Sequence, residues 1–266
     1  MLSPQELLIS LGLLTLIYLP LELAFPAHRQ GLWRRGTATD LAFWFGQTAL
    51  WTAPIVALLT VFVGWSDQLP LADVRSFFGG WPLWAQILAV IALCDVGIYW
   101  AHRLSHSNPF LWRFHKVHHT SERLDFLAAY REHPIDNLFT RTVENAPAIL
   151  LGFPLEVLAG FAVFRGLWAI YIHSNVRLTP GPLRYVLGAP RLHHWHHEVA
   201  HHSRVNFANL SPLMDLAFGT YYDPGRMPER YGLGNKRPPG FAVQLIEPLL
   251  PRAWGRRLVR GGRKAA

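Results

Sequence analysis

LAFWFGQTALWTAPIVALLTVFVGWS, residues 41–66, runs 26 residues without a charged side chain. A helix that long and that apolar can cross the roughly 30 Å of a bilayer's hydrocarbon core. Working outward, residues 76–94 (SFFGGWPLWAQILAVIALC) are also uncharged, with Trp81 and Trp84 at the entrance, where aromatic side chains mark a membrane interface. Residues 7–21 are apolar as well, and the pattern continues past Glu22 to Phe25. Ser3-Pro4-Gln5-Glu6 reads as a capping box with proline at the first helical position. The lack of a basic leader and of a small-residue cleavage site favours an uncleaved helix over a signal peptide. A fourth apolar region, residues 146–172, is interrupted by Pro147, Pro154, Glu156 and Arg165, and reads as a hairpin or re-entrant pair rather than one clean span. The fold class expected is all-α: an integral membrane helical bundle.

Composition agrees, with 51% hydrophobic and only 16% charged residues among 266. The net charge of +8 comes from arginine far more than lysine, and Arg252, Arg256, Arg257, Arg260, Arg263 and Lys264 crowd the last fifteen residues. Such a tail suits anionic headgroups or solubility. No nucleic-acid recognition motif accompanies the charge, so no nucleic-acid partner is expected. The arginine bias points to a GC-rich bacterial genome, hence an inner membrane. The lone Cys94 excludes disulfides, thiolate zinc sites, cysteine-ligated clusters and c-type haem. There is no internal repeat, coiled-coil heptad or low-complexity linker. The connector at residues 26–40 carries Arg29, Arg34 and Arg35, whereas residues 67–75 carry two Asp and one Arg, so the first connector is expected inside, with the N-terminus outside. Three crossings then put the segment after Cys94, and the C-terminus, on the cytoplasmic side.

Thirteen of the fourteen histidines lie after residue 100; His28 is the exception. His102 and His106 are four apart, on one helical face. Asn108-Pro109 should break that helix, after which HKVHH sets His115, His118 and His119 at i, i+3 and i+4, and HHWHH repeats the spacing with His193, His196 and His197. On helices, each box should present one face of ligands. Two histidines four apart are usually exposed polar residues, but three such boxes in a membrane protein are not, because imidazoles near the membrane are costly unless solvated, paired or coordinated. Eight or more imidazoles are too many for one ion and suit two. All-nitrogen ligation fits iron, zinc or copper, and spacing does not choose among them.

The chain resembles the fatty acid hydroxylase/sterol desaturase superfamily of membrane-bound di-iron oxygenases. The matching text is DVGIYWAHRLSH (95–106), LWRFHKVHH (111–119), REHP (131–134), HSN (173–175), PRLHHWHH (190–197), NFA (206–208) and DLAFGT (215–220). Val205 and Met214 depart from the usual lysine and tryptophan before the last two motifs. The resemblance implies two non-haem iron ions and O2, hydroxylation or desaturation of a membrane lipid, and a histidine-rich helical cap holding the metals. It implies His102, His106, His115, His118, His119, His193, His196 and His197 as ligands and His173 as a ninth. His133 would be a ligand or a neighbour of one; Asp95 would accept from a ligand imidazole N–H and fix its tautomer; Asn206 and Asp215 would play supporting parts. His194, His201 and His202 fall outside the pattern and are expected to tolerate change. No flavin, nicotinamide, haem or iron–sulfur motif is present, so electrons would come from a separate ferredoxin- or cytochrome-like donor. The organisation expected is membrane helices at 1–94, a catalytic region at 95–220 and a basic cytoplasmic tail at 221–266. The competing reading is a zinc-dependent membrane hydrolase with Glu132 or Glu198 as general base. A metal transporter would need ligands along a path through the spans, and residues 7–21 and 41–66 contain no His, Asp or Glu.

Overall fold

A computed structural model describes residues 3–199, 204–234, 238–251, 253–255 and 258–259. His201, His202 and most of the basic tail lie outside the described residues. The described residues are helical and contain no strand, only two isolated bridges. Four helices are long and apolar enough to cross a membrane: Pro4–Ala24, Thr37–Ser66, Leu83–Ser107 and Leu155–His173.

Helix α1 (Pro4–Ala24) starts with the expected box: Ser3 Oγ accepts from the Glu6 amide, and the Glu6 carboxylate accepts from the Ser3 amide at 2.7 Å. The second span is one rod made of α2 (Thr37–Phe45), a π-helical segment (Gly46–Trp51) and α3 (Thr52–Ser66). The π segment depends on Gly46, since a Cβ there would sit 2.0 Å from the Trp51 ring that folds over it. The next apolar stretch does not begin its span at residue 76. Helix α4 (Ala72–Gly79) stops at a glycine pair, Pro82 is extended, and α5 runs from Leu83 to Ser107. Proline at the N-cap and glycine before it explain the split. As expected, Asn108 ends α5 and its side chain caps α6 (Pro109–His115) by accepting from the amides of Phe110 and Leu111.

The fourth apolar region resolves into a hairpin whose second arm is itself a span. Helix α7 (Pro134–Leu150) absorbs Pro147, and α8 (Leu155–His173) begins after Pro154. The turn between them reaches the end of the bundle remote from the histidines: Arg75 Nε donates to Leu150 O at 3.2 Å, and the Phe78 and Phe153 rings lie 5.5 Å apart. Helix α7 is amphipathic, with Asp136, Asn137, Thr140 and Glu144 buried. It packs along α5 at Gly97, where a Cβ would lie 2.9 Å from the Glu144 backbone. Side chains such as Leu8, Leu13, Val61, Trp84, Leu88 and Val163 face outward, as a lipid-facing belt requires.

The ends of α1, α2, α5 and α8 converge on one face. There the short helices α9 (Pro190–His196), α10 (Leu213–Ala217) and α11 (Phe241–Ile246) close the cap. A buried ion network ties spans to cap: Arg34 Nη2 lies 2.7 Å from Asp40 and 2.5 Å from Asp125, and Arg131 Nε lies 2.6 Å from Asp40. Arg34 is therefore a buried structural cation rather than a hydrated loop charge, and it drops out of the charge count that set the expected orientation. Glu22 at the foot of α1 accepts from the amides of Phe126 and Asn175, holding the loop next to His173.

Candidate metal centre

The nine histidines expected to bind metal come together as two groups. His102, His106, His115, His119 and His196 form one, and His118, His173, His193 and His197 the other; within each, the nearest ring nitrogens all lie within 4.8 Å of one another. Neither HxxHH box lies on one helical face. Helix α6 ends at His115 and gives way to a 3-10 turn at His118–Thr120, while α9 ends at His196. In both boxes the first and last histidines share a group and the middle one crosses over: His115 and His119 sit in the first and His118 in the second, whereas His193 and His197 sit in the second and His196 in the first.

The nitrogens suit a cation in each group. His102 Nδ1 faces Phe207 O at 2.7 Å, His118 Nδ1 Arg131 O at 3.2 Å, His173 Nδ1 Ala169 O at 2.6 Å, His196 Nδ1 Val205 O at 2.8 Å and His115 Nδ1 Asp136 Oδ2 at 2.9 Å. Each partner is an acceptor only, so each Nδ1 carries a hydrogen and each ring turns its Nε2 inward. Yet the Nε2 atoms of His118 and His173, whose Nδ1 atoms both face carbonyls, lie 3.0 Å apart. Two lone pairs at that distance repel unless a cation lies between them. Nitrogens bound about 2.1 Å from one ion would lie roughly 3.0–3.4 Å apart, the spacing seen here. His102 Nε2 is buried with no hydrogen-bond partner. Outside the spans, burial, reinforced by neighbouring imidazoles, holds His118, His119, His193 and His197 well below the usual imidazole range, and burial takes His196 down to about 3. All five are thus neutral near pH 7, the form that ligates.

The remaining candidates stand outside both groups. Asp95 does not reach an imidazole: two helical turns before His102, about 10 Å along the axis, it accepts instead from the amides of Leu210 and Ser211. His133 caps α7, its Nδ1 accepting from the Ile135 amide and its Nε2 facing Leu245 O at 3.1 Å. Asn206, at φ 53°, bridges Leu192 O and Tyr222 O through Nδ2 and so clamps the loop below α9. Asp215 accepts from the amides of Phe207 and Ala208, and so orients the Phe207 carbonyl that receives His102. His194 is not an idle polar residue: fully buried, it donates from Nε2 to Ser174 O at 3.0 Å and accepts at Nδ1 from the Tyr231 hydroxyl at 2.8 Å. Of the two glutamates considered as bases, Glu132 lines the cavity between the groups and Glu198 does not. The residue missed by the sequence reading is Asp136, whose carboxylate faces the Nδ1 of His115 and whose signal was an acid three residues into the helix that His133 caps.

A cavity of about 190 Å3 is lined by His102 and His115 of the first group and His118, His173 and His193 of the second, and it extends up between α7, α8 and the π segment. Histidines of both groups thus line one space at the end of the spans.

The fatty acid hydroxylase family profile matches residues 87–220. Among curated proteins, the chain is 35% identical over 170 residues to ornithine lipid hydroxylase OlsE of Rhizobium tropici, covering 63% of this chain and 51% of that protein. It is 33% identical over 147 residues to alkylglycerol monooxygenase of Danio rerio, covering 53% and 30%. It is 32% identical over 155 residues to a Delta(7)-sterol 5(6)-desaturase of Gibberella zeae, covering 58% and 41%. The chain thus spans about half the length of these relatives or less. No solved structure matches.

Proposed function

The chain belongs to the fatty acid hydroxylase family, and from that premise we propose that it is a membrane-bound, iron- and O2-dependent enzyme that hydroxylates a lipid C–H bond. One observation supports this above the others: two groups of inward-turned imidazoles meet at one cavity at the end of apolar spans. Under this reading His102, His106, His115, His119 and His196 hold one iron, and His118, His173, His193 and His197 the other. Bound there, the iron pair would supply O2 activation, chemistry that ordinary side chains lack.

The protein's own part is positional. Four backbone carbonyls and Asp136 fix five rings in the tautomer that points Nε2 inward. Phe207, packed against His102, His106 and His196, screens the first group from water. The spans deliver lipid from the bilayer to the cavity. Hydroxylation places one atom of O2 in the product and the other in water, consuming two electrons and two protons. The electrons come from a separate ferredoxin- or cytochrome-like protein. Hydroxylation is favoured over desaturation because it needs no second hydrogen held in position, and the names of two of the three relatives agree. We place the centre at the cytoplasmic face of an inner membrane. Residues 1–94 serve as membrane helices, 95–220 as the catalytic region and 221–266 as a cytoplasmic tail, although the first boundary falls inside α5 and Gln47 of the second span reaches the cavity.

The test is turnover of a membrane lipid extract under 18O2 with reductant and a surrogate electron donor. An alcohol carrying 18O is expected. Products two hydrogens lighter and unlabelled would replace hydroxylation by desaturation. Unchanged lipids with no O2 consumed by iron-loaded protein would overturn the reading.

A further inference from the structure

The histidines also meet a second space, on the side away from the membrane. Seven of the nine rings are buried, and the two that are not, His102 and His106, sit one turn apart on α5. His102 opens to the inner cavity. His106, about 6 Å further along the helix axis, opens to a groove of about 530 Å3 in the outer surface of the cap. The groove lies between the last turn of α5, α6, the chain after α9 and the turn at residues 232–234, so none of the other spans reaches it. Trp112 of α6 forms its aromatic wall, with the ring 5.0 Å from that of His106 and 5.6 Å from that of His119. Of the charged side chains that line the groove, Arg204 is exposed, whereas Glu198 is only 9% exposed. The charge presented outward there is therefore positive.

Lipid oxidation consumes electrons that reach the histidines from another protein, and electron tunnelling through protein falls off exponentially with distance. The carrier must therefore bring its own redox group close to a ligand ring. The inner cavity opens among the spans, where the lipid arrives, so the carrier needs a ring that can be approached from water. Among the described residues His106 is the ligand that lines a groove outside the membrane, and Trp112 extends its ring and that of His119 toward the surface. A positive rim steers an acidic partner into such a groove, acting on association more than on the transfer that follows.

We propose that this groove docks a small acidic electron-carrier protein, and that Trp112 conducts each electron from the carrier to the rings of His106 and His119, and so to the first group of nitrogens. The proposal rests on the lipid-oxidation reading above and adds to it the point where electrons enter. Each transfer oxidises the carrier by one electron and reduces one ferric ion to ferrous; two transfers supply one hydroxylation, and no bond forms or breaks at Trp112. Trp112 is a positioning residue: it shortens the path and holds no metal.

The test is anaerobic mixing of the full-length chain, loaded with ferric iron in nanodiscs, with a reduced, acidic iron–sulfur ferredoxin whose visible absorbance reports its oxidation. Binding of the oxidised ferredoxin is measured alongside. Trp112→Leu should slow electron transfer several-fold at saturating ferredoxin, and Trp112→Phe should restore part of the rate, with binding unchanged in both. Arg204→Glu should do the converse: about tenfold weaker binding at low salt, a gap that closes as salt rises, and an unchanged saturated rate. Ser107→Trp, at an exposed position on the groove, fills it and should abolish both binding and fast transfer. Iron content and melting temperature identify variants that fail to fold; if Trp112→Leu is one of them, Trp112→Phe and Ser107→Trp carry the test. A parent-like transfer rate in folded, iron-loaded Trp112→Leu overturns the proposal. So does ferredoxin that binds Ser107→Trp as tightly as the parent, and so docks elsewhere, or reduction of the parent no faster than that of Ser107→Trp, the result if a lipid or a second copy of the chain covers the groove. Fast, Trp112-dependent reduction with no 18O in any lipid upholds the entry site and sinks the oxidation reading. An 18O-labelled lipid from a protein indifferent to both Trp112 and Ser107 does the reverse.

Discussion

The Nε2 atoms of His118 and His173, 55 residues apart in the chain, lie 3.0 Å from each other, each ring's Nδ1 facing a backbone carbonyl. His118 therefore belongs with α8, while its neighbour His119 belongs with His106 and His196. This crossing of adjacent histidines divides the candidate centre into two groups of ring nitrogens rather than one pool.

Metal content should follow the groups and not the boxes. His118→Ala and His173→Ala should each empty the same site, and the double variant should lose little more metal than either alone. Combining His118→Ala with His196→Ala should empty both. Metal analysis of purified variants checks this, and independent, additive losses from His118 and His173 would count against the grouping.

Asp136 and Asp95 should behave differently. Asp136→Asn weakens the hold on His115 Nδ1 and should lower metal affinity about 10–100-fold, the usual effect of losing a carboxylate behind a ligating imidazole. Asp95→Asn should reduce thermal stability through the loop at Leu210 and Ser211 while leaving metal affinity near that of the parent. Metal titrations of both variants decide it.

Removing Asp40 should be among the most damaging changes in the second span. Its carboxylate is fully buried between Arg34 and Arg131, so Asp40→Ala strands buried guanidinium groups and should cost about 3–5 kcal/mol. Denaturant unfolding in detergent measures the loss, and a change within error of zero would contradict the network's role.

Acid should unfold the protein. Burial lowers His28 and His133, as it does His118, His119, His193 and His197, from the ordinary imidazole value of 6.5. Because each folded-state value is below the unfolded one, the unfolded chain takes up protons first as pH falls. The stability from these neutral rings is complete above about 6.5 and is lost progressively below it. Melting temperatures of the metal-free protein should fall steadily between about pH 6.5 and 5; a flat profile would show that these rings are not held neutral.

Much of this was legible in the sequence because it is written in one-dimensional patterns. Uncharged runs give spans, Ser3-Pro4-Gln5-Glu6 a helix start, Asn108-Pro109 a stop, and histidine spacing a candidate metal centre. Less legible were features set by backbone geometry. The 3-10 turn that sends His118 away from His119, the π segment allowed by Gly46, and the carbonyls of Phe207, Val205, Arg131 and Ala169 behind the rings carry no side-chain signature. Asp95 misled because sequence proximity to His102 suggested contact, whereas helical rise separates them. The burial of Arg34 could not be seen without Asp40 and Asp125 beside it.

The most direct test of the central claim is the iron content of the chain purified anaerobically in mild detergent. Two groups of ring nitrogens should hold two iron ions per chain, and His196→Ala and His118→Ala should each retain one. A single zinc per chain, with turnover that persists when O2 is withheld, would contradict the account and return the site to metal-assisted hydrolysis.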